Sequence, residues 1–443
     1  MPHGFATIPA ASAWRLEQAR VPLCLLDAHG LAGDRDGLAL VDLVIDEGRI
    51  ASVLPAGAPT PAAGLPAFDM RGGIALPRFV ECHTHLDKGH IWPRRRNPDG
   101  TFMGALQNVM ADRDANWSAK DVRARMEFAL KCAFAHGTRA VRTHIDSLGP
   151  QIGISWPVFA ETRAAWAGRV DLQASPLFGI DSAMSLDHMR DVLAAVKAYG
   201  TGILGAVTYM GPNLAPGLDI LFRAASEHGL DLDFHVDETN DPAALSLEAV
   251  ADAALAFRFQ GRILVGHCCS LALQTPANEA RVIEKVARAG IGVVSLPMCN
   301  MYLQDRTSGR TPRWRGVTLL HELKAAGVRV MVSSDNTRDP FYAYGDLDPV
   351  EVLREATRIL QLDHGDADWW SAMTTAPAAQ MRLTEAPVLA AGAPADLVLT
   401  RARSLTEFFS RPQADRTVLM QGKAIDTTLP DYAELDPLMS AGA

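Results

Sequence analysis

The sequence predicts an α/β protein: a (β/α)8 TIM barrel over residues 73–385, with a small β-sandwich domain built from residues 1–72 and 386–443. Three observations lead there. The middle of the chain alternates strand-like apolar runs with amphipathic helical stretches, the pattern of parallel βα units. Many of those helical stretches close on a glycine just before the next strand, where a left-handed residue is expected. Both ends of the chain carry short strand signals that enclose this long middle.

Taken in order, residues 1–18 are small and mixed, and read as an arm or a tail. Strand signals follow at 21–26, 37–45 and 49–54, with Asp46-Glu-Gly48 placed as the turn of a hairpin. The middle offers strands at 74–83, 138–144, 170–176, 203–209, 232–236, 263–267, 291–296 and 328–333. Helices are predicted between them at 121–136, 186–199, 219–228, 242–260 and 278–289, with Gly137, Gly200, Gly229, Gly261, Gly290 and Gly327 at the closing positions. A doubly wound open sheet is the rival, but no G-x-G-x-x-G follows an early strand. Runs at 395–400 and 417–423 return to short strands.

Composition narrows the function classes. With 48% apolar and 21% charged residues the chain is an ordinary globule, and its formal net charge of −9 argues against nucleic acid or an anionic membrane as partner. The basic run Arg94–Arg96, bracketed by prolines, reads as a solvated loop, with a substrate-facing loop as the alternative. The cysteines at 24, 82, 132, 268, 269 and 299 have no paired spacing, so reduced thiols and a cytoplasmic location are expected. Neither a signal peptide nor a membrane span is expected, and a homo-oligomer is left open.

In a barrel, reactive groups gather at the C-terminal ends of the strands. Strand one ends in His83-Thr-His85, and alternation along a strand puts both imidazoles on one face. Strand five ends in His235-Val-Asp-Glu238, strand six in Gly266-His267, and strand eight in Ser333-Ser-Asp335-Asn336. Each of these has an ordinary core or turn explanation taken singly. Imidazoles and a carboxylate together at one end are the donors that suit zinc or ferrous iron.

That order of motifs resembles the amidohydrolase superfamily, and within it the cytosine deaminase group of metal-dependent aminohydrolases. The likeness extends to Gly137–Asp146, Asn300-Met-Tyr-Leu-Gln304, Arg313-Trp-Arg-Gly316 and Asp335–Phe341, and so covers most of the chain. It implies a hydrolytic deaminase of a small heterocyclic amine, with one divalent metal ion (Zn or Fe) held by His83, His85, His235 and Asp335 and by a water of lowered pKa. It further implies that Glu238 shuttles the proton, that His267 orients the water and that Asp335 accepts its proton. His144, followed by Asp146, is left between a supporting and a structural role.

Strand four, 202–209, has neither the lysine nor the glutamate that bridges two ions in binuclear members, so a mononuclear site is expected. Leu177 stands where the cytosine deaminases place a glutamine that reads the pyrimidine, Asn336 stands where they place a second aspartate, and Ser334 replaces a histidine. The substrate is therefore left open among pyrimidines, pterins and s-triazines, and the leaving group between ammonia and an alkylamine. Lys88, Leu177, Phe178, Gln304, Asn336 and Phe341 are the substrate-binding candidates, with Trp92 and Trp314 as further flat surfaces. A ring-amide hydrolase of the same superfamily is the alternative function, and an inactive metal-stabilised scaffold the non-enzymatic one.

Overall fold

The computed structural model describes residues 4–27, 30–60, 62–364 and 368–439; the first three residues of the expected arm and the last four of the expected sandwich segment lie outside them. Residue contacts divide the chain into two units, one of Met1–Val80, Lys131–Arg139 and Asp348–Pro430, the other of Glu81–Leu130, Ala140–Leu347 and Asp431–Ala443.

In the first unit, Ala13–Pro22 runs antiparallel to Leu38–Asp46, which runs antiparallel to Arg49–Pro55. Glu47 (φ 46°) and Gly48 (φ 78°) make the hairpin turn with two left-handed residues, the twist that suits a two-residue connection. Residues 13–18 are thus not an arm. Trp14 and Leu16 point inward, but a register shift between Leu16 and Ala19, with Gln18 at φ 52°, breaks the alternation and hides the strand from its sequence. A second sheet joins Lys423–Ala424, Thr417–Met420, Leu397–Leu399 and Ala75–Pro77 in that order. Trp14, Leu16, Leu43 and Ile45 of the first sheet share one apolar cluster with Ala75, Leu397, Leu399 and Leu419 of the second. The expected strand 74–83 is two strands: Ala75–Pro77 pairs with Leu397–Leu399, and Phe79–Thr84 begins a different sheet. Pro77 has no N–H to continue a ladder, and the chain changes partners there.

The second unit carries the parallel strands. Phe79–Thr84, Thr138–Asp146 and Asp171–Leu177 form one sheet; Ile203–Thr208, Asp231–Val236, Ile263–His267, Gly292–Ser295 and Val330–Val332 form another. Isolated parallel bridges join Gly179 to Val207 and Thr84 to Asp335. The intervening helices are Ala119–Ala135, Ile152–Trp166, Leu186–Tyr199, Leu214–His228, Ser246–Phe257 and Pro276–Arg288. Gly137, Gly229, Gly290 and Gly327 have positive φ as expected. Gly200 and Gly261 do not: Arg258, at φ 48°, takes the left-handed cap ahead of Gly261, and Gly200 gives room where a Cβ would come 2.6 Å from the Val196 carbonyl oxygen. Among the described residues, no helix is long and apolar enough to cross a membrane.

The helix Phe102–Asn116 has no apolar stripe to announce it: Met103 and Met110 are exposed while Asp112 is buried. Asp112 is buried because it accepts from Arg94 Nη2 (2.8 Å) and Trp117 Nε1 (2.8 Å). Arg94 also binds Asp121 and the Leu438 carbonyl, so the first arginine of the basic run is an ion-pair hub and not a solvated side chain. Arg95 is half-buried, and Arg96 alone is fully exposed.

One polar pair anchors the first unit. Arg416 grips Asp348 with both terminal nitrogens (2.6 and 2.5 Å), and Asp348 caps the helix Pro349–Leu360 by accepting from Val350 N. Burial alone would raise the Asp348 carboxyl, but Arg416 and His136 hold it at about 2. Its stabilisation is therefore full above the unfolded value near 3.8 and lost as pH falls through about 2. Arg416→Met should lower unfolding free energy by about 3 kcal/mol at neutral pH, because it strands a buried charge. Denaturant unfolding of both proteins against pH should show that gap constant above about pH 5 and shrinking below about pH 4.

Candidate metal centre and active site

The site is built where strands of the second unit end. His83 and His85 leave the strand on one face, while Thr84 on the other donates to the Arg142 carbonyl (2.9 Å). Buried Glu81 accepts from Ser333 Oγ (2.6 Å), Ser334 N (2.9 Å) and Ser334 Oγ (3.0 Å), and the Asp335 N–H donates to His83 O (3.0 Å). These bonds fix Asp335 beside the histidine pair. His85 Nε2 lies 3.1 Å from Asp335 Oδ1 and 3.3 Å from His235 Nε2, and His83 Nε2 lies 3.4 Å from Asp335 Oδ1.

Those separations fit one ion. Nitrogen and oxygen donors bound tetrahedrally at ordinary zinc distances sit roughly 3.3 Å from each other. Both ring nitrogens of His83 and both Asp335 oxygens are buried without a hydrogen-bond partner, although His85 Nε2 stands close to the carboxylate. Burial first, then neighbouring imidazoles or Lys88, holds His83, His85 and His235 well below the usual histidine range, so their lone pairs are free for a cation. His144 belongs to the same histidine group. Its Nε2, however, is 3.1 Å from Asp233 Oδ1 and its Nδ1 3.3 Å from Thr84 O, so both nitrogens are engaged, and its ring packs 4.1 Å from that of His83.

Glu238 and His267 complete the group. Asp237, at φ 48°, turns away to cap the helix Ser246–Phe257 through Ser246 N (3.0 Å) and Leu247 N (2.9 Å), while Glu238 Oε1 lies 3.4 Å from His267 Nδ1. Burial and then Asp335 raise the Glu238 carboxyl well above the usual range, and burial pushes His267 down to about 4. His267 (φ 71°) and Asp335 (φ 67°) both sit in the left-handed region, a backbone strain of the kind stored at functional sites.

Around this group, Lys88 Nζ is 3.0 Å from Asp146 Oδ1 and 5.5 Å from the centre of the Phe341 ring. Asn336 Nδ2 donates to Asp339 (2.7 Å), and Gln304 Nε2 donates to the Glu238 carbonyl (3.4 Å). Leu177 is buried at the end of its strand. Phe178 packs its ring edge-on against His188, 4.7 Å between centroids, in the manner of a core residue. Trp92 and Trp314 are half-buried, their backbone N–H groups donating to Arg338 O (2.8 Å) and Asp305 Oδ2 (3.1 Å).

Comparison with known proteins agrees with the geometry. A family profile described as "Amidohydrolase family" matches residues 178–425. A curated relative from Rhizobium rhizogenes named "Pterin deaminase" is 54% identical over 442 residues, covering 100% of both chains. The chain belongs to the amidohydrolase family. Among solved structures, a 5-methylcytosine deaminase from Klebsiella pneumoniae superposes with a TM-score of 0.79 at 24% identity, covering 94% of this chain and 98% of that one. An N-isopropylammelide isopropylaminohydrolase from Burkholderia multivorans gives 0.73 at 23%, covering 95% and 100%. This amidohydrolase shares their mixed α/β fold and is a hydrolytic deaminase of a heterocyclic amine, as the motifs led us to expect.

Several supporting residues of the amidohydrolase site escape motif reading. Asp233 was the most accessible of them, since a carboxylate two residues before His235 on the same strand face needs a partner. Glu81 gives no such signal, and Asn300 stands in the sequence likeness only as the first residue of Asn300–Gln304, with no role attached to it. Gly266, quoted in the sequence only as the residue before His267, acts by leaving room: a Cβ there would come 2.7 Å from His83 Cε1 and 2.9 Å from His83 Nδ1. Gly266→Ala should therefore push the His83 ring aside and lower bound metal at least tenfold at limiting zinc, with folding intact; metal analysis after gel filtration, beside circular dichroism, checks this.

Proposed function

We propose that this amidohydrolase is a pterin deaminase, releasing ammonia from the 2-amino group of a pterin ring. One observation carries the reading: the 54% identity to a pterin deaminase runs the full length of both chains. Leu177, in place of the glutamine that reads cytosine in related sites, supports a ring other than cytosine.

The residues present fit one divalent ion, zinc or iron, on His83, His85, His235 and Asp335, and Ile203–Thr208, with no lysine or glutamate, favours one ion over two. When bound, such an ion supplies a Lewis acid that makes water nucleophilic near neutral pH. Glu238 supplies the proton. Its buried carboxyl, held above the usual range, protonates the ring nitrogen beside the amino-bearing carbon and leaves that carbon electron-poor. Glu238 then takes up a proton from the attacking water and passes it to the departing nitrogen, so ammonia leaves neutral. Lys88, Gln304 and Asn336 hold the polar edge of the ring, Phe341 covers its face, and Leu177 and Phe178 shape the apolar end. Asp335, one of the residues that would hold the ion, accepts the nucleophile's other proton, which returns to Glu238 as product leaves, so both carboxyls end as they began.

The same proposal takes residues 73–385 as a closed (β/α)8 catalytic barrel and 1–72 with 386–443 as a β-sandwich. The bridges Gly179–Val207 and Thr84–Asp335, and the apolar cluster shared by the two sheets of the first unit, support it. The reading of a cytosolic enzyme rests on six cysteines, none of them joined in a disulfide among the described residues. A small heterocyclic amine is the partner, with no nucleic acid or membrane and with self-association left to measurement.

Ammonia release from a panel of pterin, 6-substituted pterins, cytosine, isocytosine and amino-s-triazines tests the substrate. Pterins should exceed cytosine in kcat/KM by about 100-fold or more, since a site built for one polar edge rejects others; a preference for cytosine would sink the proposal. Glu238→Gln should keep its metal and lose about 10²–10⁴ in kcat, because an amide cannot carry the proton. A near-normal kcat in that variant would remove Glu238 from its role.

A further inference from the structure

We propose that Asn300 is the positioning residue of the proton relay, holding Glu238 and His267 with its one side-chain amide group. It lies on the short helix Pro297–Leu303 that follows Gly292–Ser295, and it is fully buried. Its Nδ2 is 3.2 Å from Glu238 Oε1 and 2.9 Å from His267 Nδ1, while those two atoms are 3.4 Å from each other. An amide nitrogen has two hydrogens, one for each acceptor. The reverse orientation would set Asn300 Oδ1 against a Glu238 oxygen once Glu238 has given up its proton, and only the donating orientation serves that state.

The consequence falls on His267. A neutral imidazole whose Nδ1 accepts a hydrogen bond carries its hydrogen on Nε2. His267 Nε2 is buried with no hydrogen-bond partner among the described residues, and His267 groups with His83 and Asp335 around the candidate metal centre. Asn300 thus makes His267 a donor towards the place where the nucleophile is held, and keeps Glu238 Oε1 from swinging into contact with Asp335. The helix that carries Asn300 is itself braced. Its backbone N–H donates to Leu296 O and its carbonyl accepts from Gln304 N, both at 2.9 Å, and Gly316 packs so close that a Cβ would meet Gln304 Cβ at 2.5 Å.

The inference rests on the deaminase reading of this site, and the experiment separates the two. Asn300→Asp is nearly isosteric but loses both donor hydrogens. In the zinc-loaded enzyme it should lower kcat ten- to a hundredfold on whichever ring the wild type turns over, with KM within about threefold and zinc content unchanged. A merely space-filling Asn300 would leave kcat within about twofold and overturn the proposal. The second readout needs no variant at 300. In wild-type enzyme labelled with ¹⁵N-histidine and assigned with His267→Gln, His267 should show its hydrogen on Nε2; a hydrogen on Nδ1 would overturn the proposal even if Asn300→Asp fails to fold. Failure of the wild type on every heterocyclic amine would instead count against the deaminase reading, and the tautomer would still report on Asn300.

Discussion

The constraint on which the site depends is that buried polar atoms must find partners. Unpaired buried groups cost about 1–3 kcal/mol each, and among the described residues both nitrogens of His83 have no hydrogen-bond partner while Asp335 has only His85 Nε2 close by. Everything around them holds that arrangement in place. Glu81 ties the Asp335 turn to the His83 strand, Asp233 and Thr84 engage both nitrogens of His144, and Gly266 leaves the room that the His83 ring occupies. A cluster so supported on every side except the one where donors converge is organised for a cation to complete it.

The division of labour among the acidic groups follows from their neighbours. Asp233 sits between Arg142 and His144, which outweigh its burial and hold its carboxyl below the usual range. Glu238 has burial and Asp335 to contend with, and holds its proton far more tightly. Two carboxyls of one region are thus set apart by their neighbours, one held as an anion against an imidazole, the other held towards its protonated form.

Much of this was legible in the sequence wherever chemistry and period coincide. His83-x-His85 ends an apolar run, so strand alternation alone aims both rings one way, and His235, Glu238, His267 and Asp335 each close a strand. What was hidden is hidden for stated reasons. Asn300 makes its contacts with residues 33 and 62 positions away, and from a helix too short to show a period. The strand Ala13–Pro22 is masked by its own bulge, and Phe102–Asn116 by the buried Asp112 that Arg94 requires. Phe178 shows what the sequence leaves out: an aromatic beside a strand end suggests a stacking surface, and the structure adds that its ring packs edge-on against His188.

The left-handed backbone at His267 and Asp335 sets heat resistance against activity at two positions. Glycine or asparagine at either would relax the main chain, and neither could replace an imidazole or a carboxylate in the group. A library of this enzyme enriched only for survival on heating will therefore drift towards those residues and discard the reaction. Ancestral or consensus redesign of the family should hold both positions fixed and seek its gains among surface helices such as Asn278-bearing Pro276–Arg288, far in kind from the strained turns.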